Sequence, residues 1–420
     1  MPVEPRQVLA FGQQAVDYQE RINIERLRRE RLARARLKLK EHGIAAALVA
    51  GPNVRYTTGV RATVALAPTS HHAIVFADFD DPIVFQQHEH TVQNRVHCPW
   101  IKPENFRTAP WLFYAGHSVR EYQANKLADL IIQALKEKGV DKERVGADAV
   151  VSQLHAALVD KGIKVEPVGE VMLEARQIKT QDEINCLRMA GQVASRAWYK
   201  MFASIRPGIS DRELSAIGMA AMMEYGAESP YFVSVRSGPL LAPNYHGILT
   251  DRVEEYGDLG FCDIHMVGYL GYNTCYYRTW KVGGKPTEKE KDWYKRTYDM
   301  LQKGVDAIKP GVTTADVAKQ FPPCSYWGLK TEDEASSNAM AHGIGLSLYE
   351  PPSIHRAFSL ECPTVIEENM VIAVETWYGE NFVSGCRIEN VGVVTATGWE
   401  NIYRVPDEEI IVPRSCMLFE

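Results

Sequence analysis

The chain writes nearly the same phrase twice. Ile205-Arg-Pro-Gly-Ile-Ser-Asp-Arg-Glu-Leu214 recurs as Ile308-Lys-Pro-Gly-Val-Thr-Thr-Ala-Asp-Val317. Each copy follows a long helical pattern, stops it with Pro-Gly, and starts the next helix with a Ser or Thr cap. Ser210 and Glu213 have the spacing of a capping box. Pro-Gly before a cap is common punctuation by itself. The matching helix ahead of each copy favours an internal duplication. Strand-like runs follow the first copy at 230–236, 258–270 and 272–282, and the second at 339–348, 370–378 and 385–395. The sequence therefore predicts two helix-helix-strand halves with a cleft between them.

A chain of 420 residues exceeds one ordinary core, so two domains are expected. After a lead-in over 1–24, a helix is predicted from Arg26 to His42. Strands are predicted at Ala45–Ala50, Ala73–Ala77, Pro82–Phe85 and Arg144–Ala147, and helices at 118–139 and 151–162. This alternation reads as a small α/β domain over 1–170, followed by a second domain over 171–420. A single long helical stretch is predicted from Glu174 to Ser204.

The net charge is -6, with acids and bases interspersed, which argues against nucleic acid as a partner. The basic run 25–40 could meet an anionic membrane or RNA. The competing reading has Leu27, Leu32, Leu37 and Leu39 burying one side beneath a solvated charged face. No apolar run reaches membrane-spanning length and no apolar leader with a cleavage site opens the chain, so a cytoplasmic protein with no membrane partner is expected. Eight scattered cysteines without a CxxC pair point to free thiols.

The polar groups of interest fall inside the strand-like runs of the second domain. Asp263 and His265 are two apart and share a strand face. Cys275 lies past Gly268 and Gly271, on the expected returning strand of a hairpin. His342 opens His342-Gly-Ile-Gly-Leu346, Glu375 ends the apolar run Met370–Val374, and Glu389 sits in Cys386-Arg-Ile-Glu-Asn-Val391. A carboxylate buried in so apolar a strand needs a partner, a metal or a proton. Singly, each has a bland reading: a paired glutamate, a cysteine acting as a small hydrophobe, a core histidine. Together they fit either a metal site or an acid/base cluster with raised carboxylate pKa values.

These residues carry a family resemblance. Pro243-Asn-Tyr-His246, Asp263 with the Gly-Tyr hairpin and Arg278-Thr279, His342-Gly-Ile-Gly, Val374-Glu375 and Arg387-Ile-Glu-Asn390 resemble the five-part signature of the M24 peptidase superfamily. Methionine aminopeptidase, aminopeptidase P, prolidase and creatinase belong to it. Asn53-Val-Arg-Tyr-Thr-Thr-Gly59 resembles the creatinase N-terminal domain. The resemblance implies an α+β chain, a small α/β creatinase-like domain followed by a pita-bread domain with pseudo-two-fold duplication. Glu174-Ala-Arg-Gln-Ile-Lys-Thr-Gln-Asp-Glu-Ile184, Ser237-Gly-Pro and the hairpin from Asp263 to Trp280 look most like dimethylsulfoniopropionate lyases of the DddP type.

The departures from that pattern carry chemistry. The peptidases and the lyase hold two metals. Three Asp positions of the lyase match Asp263, His265 and Cys275, so two of the three have changed. Each change removes an anionic oxygen. Imidazole, thiolate and carboxylate together suit one softer divalent ion, zinc or iron. The Asp that resembles the lyase's base falls on Leu348, and the nearest acid is Glu350.

The resemblance thus implies a metal-assisted lyase or hydrolase of a small zwitterionic metabolite, with ligands from Asp263, His265, Cys275, His342, Glu375 and Glu389. The alternative is a metal-independent C–N hydrolase like creatinase and ectoine hydrolase, in which His246 shuttles a proton and His342, Glu375 and Glu389 do acid/base work. A non-catalytic binding protein is a third. In the creatinase branch the N-terminal domain reaches over the partner subunit's site. A homodimer is therefore implied, with Arg61 as a carboxylate clamp. Trp377, with Trp111, Tyr114 and Trp327, is a candidate cage for an onium group.

Overall fold

Short apolar runs bounded by turn residues become strands because only an extended backbone buries every side chain of so short a segment. In the computed structural model, Ala46–Ala50 (β1), His72–Phe76 (β2) and Ile83–Gln86 (β3) are buried throughout. Residues 22–61, 71–112, 116–228, 230, 232–243, 250–265 and 267–419 are described. Asn23–Arg176 and Gln177–Glu420 form two separate units.

In the first unit, Phe106–Thr108 (β4), Val145–Ala147 (β5) and Val165–Pro167 (β6) complete a mixed six-stranded sheet of order β4-β3-β2-β1-β5-β6. Its helices are Ile24–Glu41 (α1), Pro52–Thr58 (α2), His88–His97 (α3), His117–Glu137 (α4), Ser152–Asp160 (α5) and Gly169–Gln177 (α6). Leu48, Ile74, Phe76 and Phe85 of the sheet pack with Leu127, Ile131 and Leu135 of α4. The basic helix α1 buries Leu27, Arg31, Ala35 and Leu39. That spacing of four is one helical stripe, and Leu37 falls off it and is exposed, contrary to expectation.

The second unit opens with Gln181–Phe202 (α7) and Asp211–Glu224 (α8). The helical stretch predicted from Glu174 to Ser204 is two helices. Thr180 caps α7 by accepting from the Glu183 N–H at 3.3 Å, and Glu183 Oε2 accepts from the Thr180 N–H at 2.8 Å. A capping box starts a helix, so it breaks the stretch after Gln177. Phe232–Ser237 (β7), Leu259–His265 (β8) and Tyr277–Lys281 (β9) follow as a three-stranded antiparallel sheet.

The second half repeats the plan. Glu288–Ala307 (α9) begins with its own capping box, Thr287 with Glu290, and packs on the second sheet. That sheet has order β11-β10-β12-β13-β14, from Ala339–Gly343 (β10), Glu350–Ile354 (β11), Val371–Glu380 (β12), Ser384–Thr395 (β13) and Gly398–Asn401 (β14). The helix after the second Pro-Gly phrase is only Thr314–Ala318 (α10). Pro322 and Pro323 follow closely and cannot continue a helix.

The two sheets meet at β9 and β13. Thr279 Oγ1 donates to the Arg387 carbonyl at 2.8 Å and accepts from the Arg387 N–H at 2.9 Å. Buried Arg278 donates to the Glu389 carbonyl at 2.8 Å and to Asn390 Oδ1 at 2.7 Å. This seam sets β8 of one half beside β13 of the other. Among the described residues no helix is long and apolar enough to cross a membrane, and all eight cysteines are free thiols.

Candidate metal centre

Asp263 and His265 share one face of β8, as their spacing dictates. His265 Nδ1 lies 2.8 Å from Asp263 Oδ2, and the Tyr276 N–H donates to Asp263 Oδ1 at 2.9 Å. Burial opposes ionising Asp263, but His265 beside it outweighs that and holds the carboxyl below its ordinary range.

Cys275 lies two residues before β9, in the turn segment rather than on the returning strand. Gly268 and Gly271 make that turn with φ of 70° and 87°, a region that favours glycine. The Tyr403 hydroxyl then fixes the backbone from both sides. It accepts from the Cys275 N–H at 3.0 Å and donates to the Cys275 carbonyl at 2.7 Å. The Cys275 thiol reaches Asp263 Oδ2 at 3.7 Å. Burial, then the surrounding carboxylates, push this thiol well above its usual range. Only a cation beside it would favour the thiolate.

His342 comes from β10. Its Nδ1 is 2.9 Å from the Gly343 carbonyl, which can only accept, so Nδ1 carries the proton and, in the neutral imidazole, Nε2 presents a lone pair. His342 Nε2 is buried with no hydrogen-bond partner, and Glu389 Oε1 stands 3.7 Å away, beyond hydrogen-bond reach. Both carboxylate oxygens of Glu389 are likewise buried without a hydrogen bond. Burial, and then Glu375 opposite it in the ladder, push the Glu389 carboxyl up to about 8. Folded proteins rarely leave three such atoms unsatisfied in one place.

Glu375 on β12 accepts from Arg387 Nη2, and both side chains are buried. Arg387, which opens the signature stretch Arg387–Asn390, thus supplies a counter-charge inside the site. The ligand atoms of Asp263, His265 and Cys275 lie within 4.8 Å of one another, as do those of Cys275, His342 and Glu389. Cys275 belongs to both groups. Sulfur, imidazole nitrogen and carboxylate oxygen in one buried cluster are donors that fit a divalent ion such as zinc.

The remaining residues lie as follows. Trp377 is buried in the apolar core, and its indole N–H donates to the Leu241 carbonyl at 3.1 Å. Arg61 is exposed on the first unit. His246 and Tyr114 lie outside the described residues. Glu350 is fully engaged, accepting from Lys179 Nζ at 2.9 Å and from the Ser347 N–H at 3.0 Å. Tyr349, missed from sequence, is 55% exposed, with its ring 4.5 Å from the His342 ring. Asn273 ties the turn carrying Cys275 to the loop after His342, donating to the Leu346 carbonyl at 2.9 Å.

Comparison with known proteins adds the relatives. Residues 185–396 match metallopeptidase family M24, and residues 31–178 match the creatinase/prolidase N-terminal domain. An Xaa-Pro dipeptidase of Pyrococcus horikoshii is 29% identical over 246 residues, 58% of this chain and 67% of that protein. The probable dipeptidase PepE of Mycobacterium tuberculosis is 30% identical over 269 residues, 62% of this chain and 68% of that one. The solved Xaa-Pro dipeptidase of Bacillus anthracis superposes with a TM-score of 0.73 at 25% identity, covering 91% of this chain and 99% of its own.

Proposed function

The chain belongs to metallopeptidase family M24, and on that premise we propose that it is a metal-assisted hydrolase that cleaves a C–N bond in a small zwitterion. A free dipeptide is such a zwitterion, and the relatives named above are an Xaa-Pro dipeptidase and a probable dipeptidase. The observation that carries the reading is the set of unsatisfied atoms, Glu389 Oε1 and Oε2 with His342 Nε2, buried beside Cys275.

A bound divalent ion would act as a Lewis acid, lowering the pKa of a bound water and polarising the scissile carbonyl. The side chains that would hold it come from Asp263, His265, Cys275, His342, Glu375 and Glu389. The Gly343 carbonyl fixes the imidazole of His342 so that Nε2 faces the cluster. Arg387 offsets the charge of Glu375, so the site is not left with an excess of buried anions. Tyr349, exposed beside His342, borders the approach. Arg61 is the carboxylate clamp in this reading, reaching the partner's site in a homodimer. The lyase resemblance draws nothing from the geometry. Position 348 is leucine, and Glu350 is committed to Lys179.

The metal-independent reading draws on one observation, the Asp263–His265 pair, whose facing atoms bond each other without an ion. Chelation separates the two. Protein purified without chelator is assayed for release of free amino acids from a panel of dipeptides, Xaa-Pro among them. Activity is expected to disappear on stripping with a strong chelator and to return with zinc or iron. Activity that survives stripping would establish the metal-independent mechanism instead. Metal-loaded protein that cleaves no dipeptide would overturn the dipeptide assignment.

A further inference from the structure

We infer that one divalent ion is held by Cys275 Sγ, His342 Nε2 and Glu389, while Asp263 and His265 stay hydrogen-bonded to each other outside its coordination. This rests on the metal-assisted reading and divides its six candidate ligands into those that bind the ion and those that do not.

The division follows from which carboxylate oxygens are already engaged. Asp263 has both oxygens engaged, one with His265 Nδ1 at 2.8 Å and one with the Tyr276 N–H at 2.9 Å. Binding an ion through those atoms would break that pair. Glu375 is tied to Arg387. Glu389 and His342 are the reverse case, fully buried and with no hydrogen bond to lose at Glu389 Oε1, Glu389 Oε2 or His342 Nε2. An ion placed there removes the cost of burying them unsatisfied.

Spacing and charge agree with this. Two ligands at tetrahedral angles on zinc, each ~2.0–2.1 Å from it, lie roughly 3.3 Å apart. His342 Nε2 and Glu389 Oε1 are 3.7 Å apart, so a small adjustment closes them on an ion. The three groups include one thiolate and one carboxylate, whose two negative charges one divalent ion cancels in a buried site. Three protein ligands leave the fourth tetrahedral position open, as a hydrolytic ion requires. Cys275 is held in place as a ligand, because Tyr403 bonds its backbone at both the N–H and the carbonyl.

The test uses the full chain loaded with cobalt(II), whose absorption reports its ligands. The expected result is one cobalt per chain and a thiolate-to-cobalt charge-transfer band in the near ultraviolet. Cys275→Ser is expected to abolish that band. Asp263→Asn and His265→Ala are expected to keep one ion and the band, with affinity lowered by about 10–100-fold, the usual effect of losing an outer partner. The wild-type spectrum decides on sulfur ligation even if a variant fails to fold. Two ions per chain, or loss of the ion in His265→Ala, would overturn the division. Cobalt bound without the band would overturn it alone, whereas no cobalt bound would overturn the metal-assisted reading as well.

Discussion

Glu254 shows on a single residue what burial without enough partners does. Trp280 Nε1 donates to its Oε2 at 3.4 Å, and its Oε1 is buried without a hydrogen bond. Burial, and then Asp211 nearby, push its carboxyl from 4.5 up to about 8. Between those values the unfolded chain releases a proton that the folded chain keeps, so stability falls as pH rises from 4.5 to about 8. Glu254→Gln keeps the shape and cannot ionise. Its thermal midpoint should exceed that of the wild type by more at about pH 9 than at about pH 5. An equal difference at both would contradict the shift. Single residues were also where the sequence spoke most plainly. The two-residue spacing of Asp263 and His265 and the apolar runs around Glu375 and Glu389 announced buried chemistry. The roles of Arg387, Tyr403 and Lys179 were silent, because what makes each matter is a partner brought close by folding, and no periodicity records that. Trp377 was ambiguous for the opposite reason, since an indole looks the same in a core as in a binding site.

At the scale of elements, the loop between β10 and β11 is held by a buried ion pair. Lys179 precedes α7 and Glu350 begins β11, and their side chains are each 1% exposed. Removing one partner of such a pair leaves the other charge buried alone, at a cost of about 3–5 kcal/mol. Lys179→Met should lower the unfolding free energy, measured by denaturant titration, by that much, and Lys179→Met with Glu350→Leu should recover a large part of it. A single variant as stable as the wild type would show the pair to be dispensable. The sequence foretold most helices and strands of this unit but not their ends. The capping box at Thr180 divided one predicted helix into two, and Pro322-Pro323 cut the second copy's helix short. Caps and breakers decide boundaries, whereas apolar periodicity decides only that an element exists.

At the scale of the whole molecule, the repeated Pro-Gly phrase is the imprint of a unit built from two halves. Their sheets join where β9 meets β13, and each half sends acid, imidazole or thiol groups to that seam. The duplication and the family signature were legible because each lies in contiguous stretches of chain. The pairing of the ligands was not, because it depends on strands that are distant in sequence. The proposed hydrolase requires a divalent ion at the seam. Elemental analysis of the untagged protein, purified without chelator, measures this directly as metal per chain. The account predicts one zinc or iron. A folded protein that carries no metal and takes none up on reconstitution would contradict it.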